Sequence, residues 1–345
     1  NDTKYTSGLT LRTRLGYETG KLFSTKGYIE MSDTRIVGGV DNFAPAKSGY
    51  NKIVDPEITR LNQAYLKTSP VEGLTGTVGR QRIILDNARF VGNVGWRQTE
   101  QVYDAARIEY SNSGFKADIS YLWDVHGIAS GLDREAQDVL ANLSYVTPVG
   151  KVTGYYYLNK NTEQLELATS GLRFAGKTKA GDIGLNYQAE YAMQEDSIND
   201  KEADYMHAVF GASYKGFGLT AGYEVLGSDE GSYGFSTPLA TKHAFNGWAD
   251  IFLGTPADGL ADTYVKLSGA VAGVKMAAIY HSYESVDSST EGESSYDLGS
   301  EINVVVVKPF AKKYKVGVKF ADYSAAENTN MVDTTKYWAF AEMKF

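Results

Sequence analysis

The basic side chains of this sequence change type along the chain. Every arginine lies between Arg12 and Arg173, and beyond that point the bases are lysines and histidines. Guanidinium groups stay charged, bind carboxylates and phosphates in a planar fork, and hold water less tightly than ammonium groups. Arginines gathered on one polar surface would therefore attract anions. The candidates for this chemistry are Arg12, Arg14, Arg80, Arg82, Arg89, Arg97, Arg107 and Arg173.

The positions of these bases indicate a shared polar surface. Period-2 alternation places Arg12, Arg14, Arg107 and Arg173 on the polar side of predicted strands, whereas the other four cluster between residues 80 and 97. Lysines continue the pattern on later strands: Lys266, Lys275, Lys315 and Lys319. Acids share the polar side, namely Glu18, Glu30, Asp104 and Glu109. Two interpretations follow: the bases form a ring that attracts anions, or they pair with these acids and only stiffen the structure.

The elements that must position these side chains are strands of alternating polarity. Residues 336–345 alternate apolar and polar side chains up to the terminal Phe345, and residues 115–125, 183–191 and 217–225 repeat the pattern. Each segment has about ten residues, the length that a tilted strand needs to cross a bilayer. A soluble edge strand of this kind invites aggregation, whereas a closed barrel pairs it. The sequence predicts a transmembrane antiparallel β-barrel, with an edge strand of a soluble β-sandwich as the alternative.

Composition supports this fold class. The 345 residues include 36 glycines, 25 tyrosines, 7 prolines and no cysteine, which fits a long antiparallel sheet and excludes disulfides and Cys-ligated metals. No apolar run approaches the roughly 18 residues of a spanning helix. The net charge of −8 argues against a nucleic-acid partner.

Short and long connections alternate along the chain. Tight turns are predicted at 111–114, 215–216 and 272–273, and long loops at 38–56, 84–102, 228–260 and 284–297. Short periplasmic turns and long extracellular loops are typical of outer-membrane barrels, so we expect one domain, 1–345. The pattern gives about 17 strands, an odd number, so we expect an upward N-terminal strand to be absent here and about 18 in the intact protein, with about 16 as the alternative.

The segment 228–260 is too apolar for a simple exposed loop. Four aromatic residues, Phe235, Phe245, Trp248 and Phe252, are candidates for narrowing a channel. Long loops usually have structure of their own, so these aromatics either fold inward or form a small core of the loop.

Two stretches resemble a known family. One is VGRQRIILDNARFVGNVGWRQ at 78–98, followed by VYDA at 102–105; the other is FSTPLATKHAFNGWADIFLGTPADGL at 235–260. Both are similar to segments of the alginate-export-type outer-membrane porins of Gram-negative bacteria. The resemblance implies a monomeric barrel of about 18 strands with an arginine-rich lumen.

These observations favour an outer-membrane porin for passive diffusion of small hydrophilic solutes, with anions preferred. The alternatives are a dedicated exporter of an anionic polysaccharide such as alginate, and a surface barrel for adhesion or phage attachment. The expected partners are the lipid bilayer, lipopolysaccharide, and small anionic solutes or acidic saccharides, with a monomer expected and a trimer as the alternative. The histidines lack metal-ligand spacing and no Gly-x-Ser-x-Gly motif is present, so we expect no metal, no cofactor and no enzyme, with an outer-membrane lipase or protease as the alternative.

Overall fold

The computed structural model describes residues 5–41, 53–129, 131–161, 164–288, 295–327 and 329–345. Its elements are β-strands and one short 3-10 helix at Lys242–Ala244. The strands are β1 Gly8–Glu18, β2 Thr25–Asp41, β3 Ile58–Thr68, β4 Leu74–Gln81, β5 Val102–Asn112, β6 Phe115–His126, β7 Arg134–Thr147, β8 Gly150–Lys160, β9 Glu166–Ala180, β10 Ile183–Asp196, β11 Lys201–Tyr214, β12 Phe217–Leu226, β13 Ser228–Asp229, β14 Tyr233–Gly234, β15 Leu260–Val271, β16 Val274–Glu284, β17 Asp297–Phe310, β18 Tyr314–Ser324 and β19 Thr334–Met343.

Seventeen strands belong to one sheet, the number that alternation predicts, and β13 with β14 forms a separate hairpin. The chain divides into two compact units, the first containing residues 1–143, 155–167 and 237–241 and the second the remainder. In the first unit, β1 to β6 pair consecutively and antiparallel. In the second unit, β10, β11, β12 and β15 to β19 do the same. No helix among the described residues has the length and apolar character that crossing a membrane requires.

The exposure of the side chains is inverted relative to a soluble protein. In β6, Ile119 and Tyr121 are 50% and 47% exposed, whereas Asp118 and Ser120 are 2% and 1% exposed. The apolar face of the strand is therefore the exposed one, and the polar face is buried. A sheet of this kind needs an apolar solvent on one side and polar partners on the other.

The tight turns follow from local backbone chemistry. Ser113 and Gly114 form the two-residue connection between β5 and β6, with φ values of 48° and 87°. Positive φ at both positions is the type I′ geometry, whose twist matches that of the flanking strands. The turns predicted at 215–216 and 272–273 have the same pattern of two positive φ values.

The long connections lie where the sequence predicts them, with shifted ends. The loop predicted at 84–102 spans 82–101, and the one predicted at 228–260 contains β13, β14 and the 3-10 helix. In the loop predicted at 38–56, β2 continues to Asp41 and residues 42–52 lie outside the described part of the chain. In the loop predicted at 284–297, residues 289–294 lie outside the described part as well.

Candidate functional site

The segment 82–101 lies against the polar face of the strands in the first unit. Arg12 in β1 donates from Nη1 to the carbonyl oxygens of Arg97 and Gln98, at 2.9 and 3.1 Å. The Gln98 side chain donates in turn to the Thr10 hydroxyl at 2.8 Å. These bonds satisfy backbone carbonyls that a buried loop would otherwise leave unpaired.

A group of charged side chains joins this segment to β1, β2 and β3; we call it the Glu100 cluster, and it consists of Arg14, Glu30, Arg60, Asn62, Arg82, Asn93 and Glu100. Arg82 donates from Nε to Glu100 at 2.6 Å and from Nη2 to Glu30 at 2.5 Å. Asn62 Nδ2 donates to Glu30 and Glu100 at 2.6 and 2.5 Å, and Asn93 Nδ2 to Glu100 at 2.7 Å. Arg14 Nη2 lies 3.3 Å from Glu100 Oε1, and Arg60 donates to the Glu100 carbonyl. The cluster thus places the Arg14 and Arg82 guanidinium groups beside two buried carboxylates, and Arg60 beside the Glu100 backbone.

Glu100 lies at the centre of this cluster, with its side chain 1% exposed. Burial by itself raises the pKa of the Glu100 carboxyl. The hydrogen bond from Arg82, the charges of Arg14 and Arg82, and the hydrogen bond from Asn62 oppose this effect and bring the pKa below its ordinary value. Glu100 is therefore an anion in the folded protein at neutral pH.

A second group lies where β4, β5 and β6 meet. Arg80 forms a two-point ion pair with Asp104, at 2.8 and 2.9 Å, and His126 Nε2 lies 2.9 Å from the same carboxylate. Among the described residues, Asp104, Asp124 and His126 also form the one set whose ligand atoms are close enough to hold a metal ion. Because Arg80 already occupies the Asp104 carboxylate, we assign no metal there.

A third group lies further along β5 and β6. Arg107 donates to Asp118 from Nε at 2.9 Å and from Nη2 at 2.5 Å, and its Nη2 lies 3.1 Å from Glu109. Lys116 Nζ lies 3.3 Å from Glu109. Two cations therefore face two carboxylates, which makes this group electrically balanced.

The other predicted bases have varied surroundings. Arg173 is buried and donates to Gln188 at 2.6 Å, with Glu190 at 3.4 Å, and Arg89 is buried within the segment 82–101. Lys319 is buried, Lys266 is half-buried and Lys275 is exposed. Lys315 pairs with Glu342 at 2.7 Å. Of the acids proposed as partners, Glu30, Asp104 and Glu109 contact Arg82, Arg80 and Arg107, whereas Glu18 pairs with Lys26 at an exposed position.

The aromatic residues predicted to narrow a channel lie in the segment between β12 and β15. Phe235 is fully buried and packs against Tyr205 of β11, with ring centroids 5.5 Å apart. Phe252 packs against Tyr283 of β16 at 4.7 Å. Trp248 and Phe245 are half-buried, and the Trp248 ring lies 3.8 Å beneath Lys319 Nζ. The segment is thus anchored on the buried face of the second unit.

The two family-like stretches contact each other within the first unit. Val91 and Leu239 form a parallel bridge, and the amide of Gly92 donates to the Leu239 carbonyl at 2.9 Å. A Cβ atom at Gly92 would lie 2.2 Å from Thr241 Oγ1. Glycine at position 92 therefore allows the close approach of the two segments.

A family model described as alginate export matches residues 11–227. The chain belongs to the alginate export family. No curated protein sequence matches this family member significantly. This assignment confirms the resemblance that the two stretches indicate.

Solved structures give the fold of this alginate export family member. It is similar to OccAB4 of Acinetobacter baumannii, with a TM-score of 0.74 and 15% identity, covering 97% of this chain and 91% of the other. It is also similar to OpdK of Pseudomonas aeruginosa, crystallised with vanillate, with a TM-score of 0.72, 12% identity, and coverage of 96% and 93%. A BenF-like porin of Pseudomonas fluorescens Pf-5 gives 0.72, 11%, and coverage of 96% and 91%.

These similarities confirm the predicted outer-membrane β-barrel fold and the predicted location in the bacterial outer membrane, and hence a lipid bilayer around the chain. They also support the predicted porin function. One of these neighbours, from Pseudomonas fluorescens Pf-5, is described as a BenF-like porin.

Sequence reasoning misses four members of the Glu100 cluster: Arg60, Asn62, Asn93 and Glu100 itself. Arg60 and Asn62 lie in β3, where the alternation is irregular because a bulge interrupts its pairing with β2 between Glu30 and Met31. Glu100 lies in a segment without periodicity. The signal that could have found it is its position in the sequence close to four arginines, at 80, 82, 89 and 97.

Proposed function

We propose that the chain is a channel for passive diffusion of small hydrophilic solutes and that it favours anions. The observation that supports this most directly is the set of guanidinium groups on the polar face of the first unit: Arg14 and Arg82 lie beside Glu30 and Glu100, and Arg60, which Asp133 also attracts, donates to the Glu100 carbonyl. The Arg14 side chain remains 27% exposed on this polar surface. Such a surface lowers the electrostatic barrier for an anion more than for a cation.

Passage of an anion through the channel requires that the arginines bind it only weakly. Arg82 is engaged by two carboxylates of the protein, so it holds the segment 82–101 in place rather than capturing a solute. Arg14 forms an ion pair with Glu100 and its side chain is 27% exposed, so it can present a guanidinium edge to a passing carboxylate. An anion attracted in this way can enter and leave again. OpdK was crystallised with vanillate, which is a carboxylate, and this agrees with the proposed solute class.

Export of an anionic polysaccharide is the second candidate, because the matching family model is described as alginate export. A uronate polymer carries the same carboxylates as a small organic acid, so the cluster serves either solute. Liposome flux of a small carboxylate and of a uronate oligomer distinguishes the two functions by size. Binding of lipopolysaccharide and a monomeric state remain part of the proposal.

Planar-bilayer recording under a salt gradient tests the proposed selectivity. We expect a reversal potential that shows anion preference, and we expect Arg14→Gln to reduce it. Arg14 is a better choice than Arg82 because Glu100 keeps Arg82, Asn62 and Asn93 when Arg14 is removed.

Arg35→Gln is the matched control for this experiment. Arg35 is exposed on the opposite face of β2, where it pairs with Asp33 and Thr59, so its loss changes the net charge equally without altering the polar face. Cation preference in the unaltered protein, or an equal shift in both variants, would overturn the proposal.

A further inference from the structure

A short segment crosses the polar face of the second unit; we call it the strap, residues 242–250. It bonds to five strands. Asn246 donates to Glu224 of β12 at 2.7 Å and to Asp262 of β15 at 3.2 Å. The amides of Trp248 and Ala249 donate to Glu301 of β17 at 2.5 and 2.8 Å. The remaining bonds, to β18 and β19, are made by its ionisable side chains.

Asp250 and His243 of the strap and Lys319 of β18 form a hydrogen-bonded chain, which we call the relay. His243 Nδ1 lies 2.5 Å from Asp250 Oδ1 within the strap, and His243 Nε2 lies 2.6 Å from Lys319 Nζ of β18. Lys336 Nζ of β19 also donates a hydrogen bond to Asp250 Oδ2 at 3.3 Å. His243 and Lys319 are 4% and 6% exposed. The Lys319 ammonium is held from the other side by the rings of Trp248 and Trp338, at 3.8 and 5.2 Å.

The two hydrogen bonds of the relay determine which nitrogen of the His243 imidazole carries the proton. Asp250 accepts a hydrogen bond from Nδ1–H, so Nε2 of the neutral ring carries the lone pair and accepts a hydrogen bond from the Lys319 ammonium. Adding a proton to Nε2 would place an N–H against an ammonium at 2.6 Å. Two donors and two positive charges would then face each other where one hydrogen bond existed.

We propose that this relay is a pH-sensitive latch, in which protonation of His243 releases the strap from β18. Histidine is the side chain whose charge changes between about pH 5 and 8. Because the docked strap requires the neutral ring and the released strap can take up a proton, acid shifts the equilibrium towards release. One proton changes the ratio of released to docked strap by at most about tenfold per pH unit.

Other charged groups also contact the strap, and their bonds stabilise the docked strap against release. Glu301, Glu224 and the Asp262–His281 pair lie on the strands beneath it, and Lys336 and Lys242 complete the surroundings. These carboxylates accept from the Asn246 side chain and from the backbone amides of Trp248 and Ala249, so the contacts to β12, β15 and β17 oppose release. In the released state the strap has left these strands as well as β18, which exposes position 249.

Thiol labelling tests the latch directly. The chain has no cysteine, so Ala249→Cys introduces a single thiol at a position that is 1% exposed. The same substitution in a His243→Gln background is the control, because glutamine donates and accepts as neutral histidine does but takes up no proton. The ratio of the two labelling rates cancels the pH dependence of the thiol itself. We expect this ratio to rise, by up to about tenfold per unit, as the pH falls below about 6.5.

A ratio that stays constant between about pH 8 and pH 5 would overturn the latch. Lys319→Met provides a second test if the glutamine variant fails to fold, because removing the ammonium removes the repulsion and should abolish the acid response. Labelling does not depend on transport, so it separates failure of the latch from failure of the proposed channel function. The further expectation that conductance changes with the same pH midpoint rests on that function.

Discussion

Replacing Glu100 by glutamine is the most informative perturbation of the first unit. The carboxylate accepts hydrogen bonds from Arg82, Asn62 and Asn93 and lies 3.3 Å from Arg14. Glutamine keeps one acceptor oxygen but puts an N–H₂ group among these donors. Removing one partner of a buried ion pair lowers the free energy of unfolding by about 3–5 kcal/mol. Because glutamine keeps one acceptor oxygen, we expect E100Q to lower it by about 3 kcal/mol, the lower end of this range.

The assay is urea unfolding of the protein in lipid vesicles at neutral pH, with Glu18→Gln as the matched control. Glu18 makes a 2.7 Å ion pair with Lys26, but the two side chains are 54% and 45% exposed. An exposed pair contributes about 0–1 kcal/mol. The glutamate-to-glutamine change should therefore lower the free energy of unfolding several times more at position 100 than at position 18.

The pH dependence provides an independent check. Because the pKa of Glu100 is lowered in the folded protein, its stabilisation is present above the ordinary carboxyl pKa of about 4.3. It is lost as the pH falls through the lowered folded value. The difference between the unaltered protein and E100Q should shrink only in strong acid. Equal unfolding free energies for E100Q and E18Q at neutral pH would refute the central role of Glu100.

Two further predictions concern the faces of the sheet and the contact between segments. Ile119→Arg on the exposed face of β6 should cost about 2–4 kcal/mol in vesicles if that position lies near the bilayer midplane. Ser120→Ala on the buried face should be nearly neutral in the same assay, because the hydroxyl has no hydrogen-bond partner. Gly92→Ala should destabilise the contact with Thr241 by about 1–3 kcal/mol and accelerate proteolysis of the segment 82–101. Adding Thr241→Ala should recover part of this loss; equal proteolysis rates for the single and double variants would contradict the steric argument.

The strands could be predicted because their signal is local. Alternation in residues 115–125 predicts which side chains face lipid, and the exposed Ile119, Tyr121 and Trp123 confirm it. It is wrong for Val125, which is 3% exposed because a bulge shifts the register at Trp123. The tight turns are equally local, since Ser113–Gly114 encodes its own backbone geometry. A period of two fails where a bulge intervenes. One lies between Asp104 and Ala105, so the side chain of Asp104 cannot be assigned to a face by counting.

The candidate site could be predicted in its residue types but only partly in its pairing. Sequence places arginines and acids on one face, yet Glu18 lies away from them beside Lys26, while Glu100 joins them from a loop. The partners depend on how the segment 82–101 packs, which involves contacts between residues far apart in the chain. Arg12, for example, bonds to carbonyls 85 and 86 positions away. No local pattern contains that information.

We expect the two interpretations of the arginines, structural pairing and attraction of anions, to apply to different arginines. Arg80 and Arg107 each form a two-point pair with a carboxylate, so their charge is neutralised and their main effect is structural. In the Glu100 cluster Arg14 shares the Glu100 carboxylate with Arg82 and keeps a side chain that is 27% exposed. Replacing a balanced arginine exposes a buried carboxylate and disturbs folding and selectivity together. Replacing Arg14 removes a partly exposed positive charge while Arg82 still pairs with Glu100, so we expect selectivity to change while the fold persists.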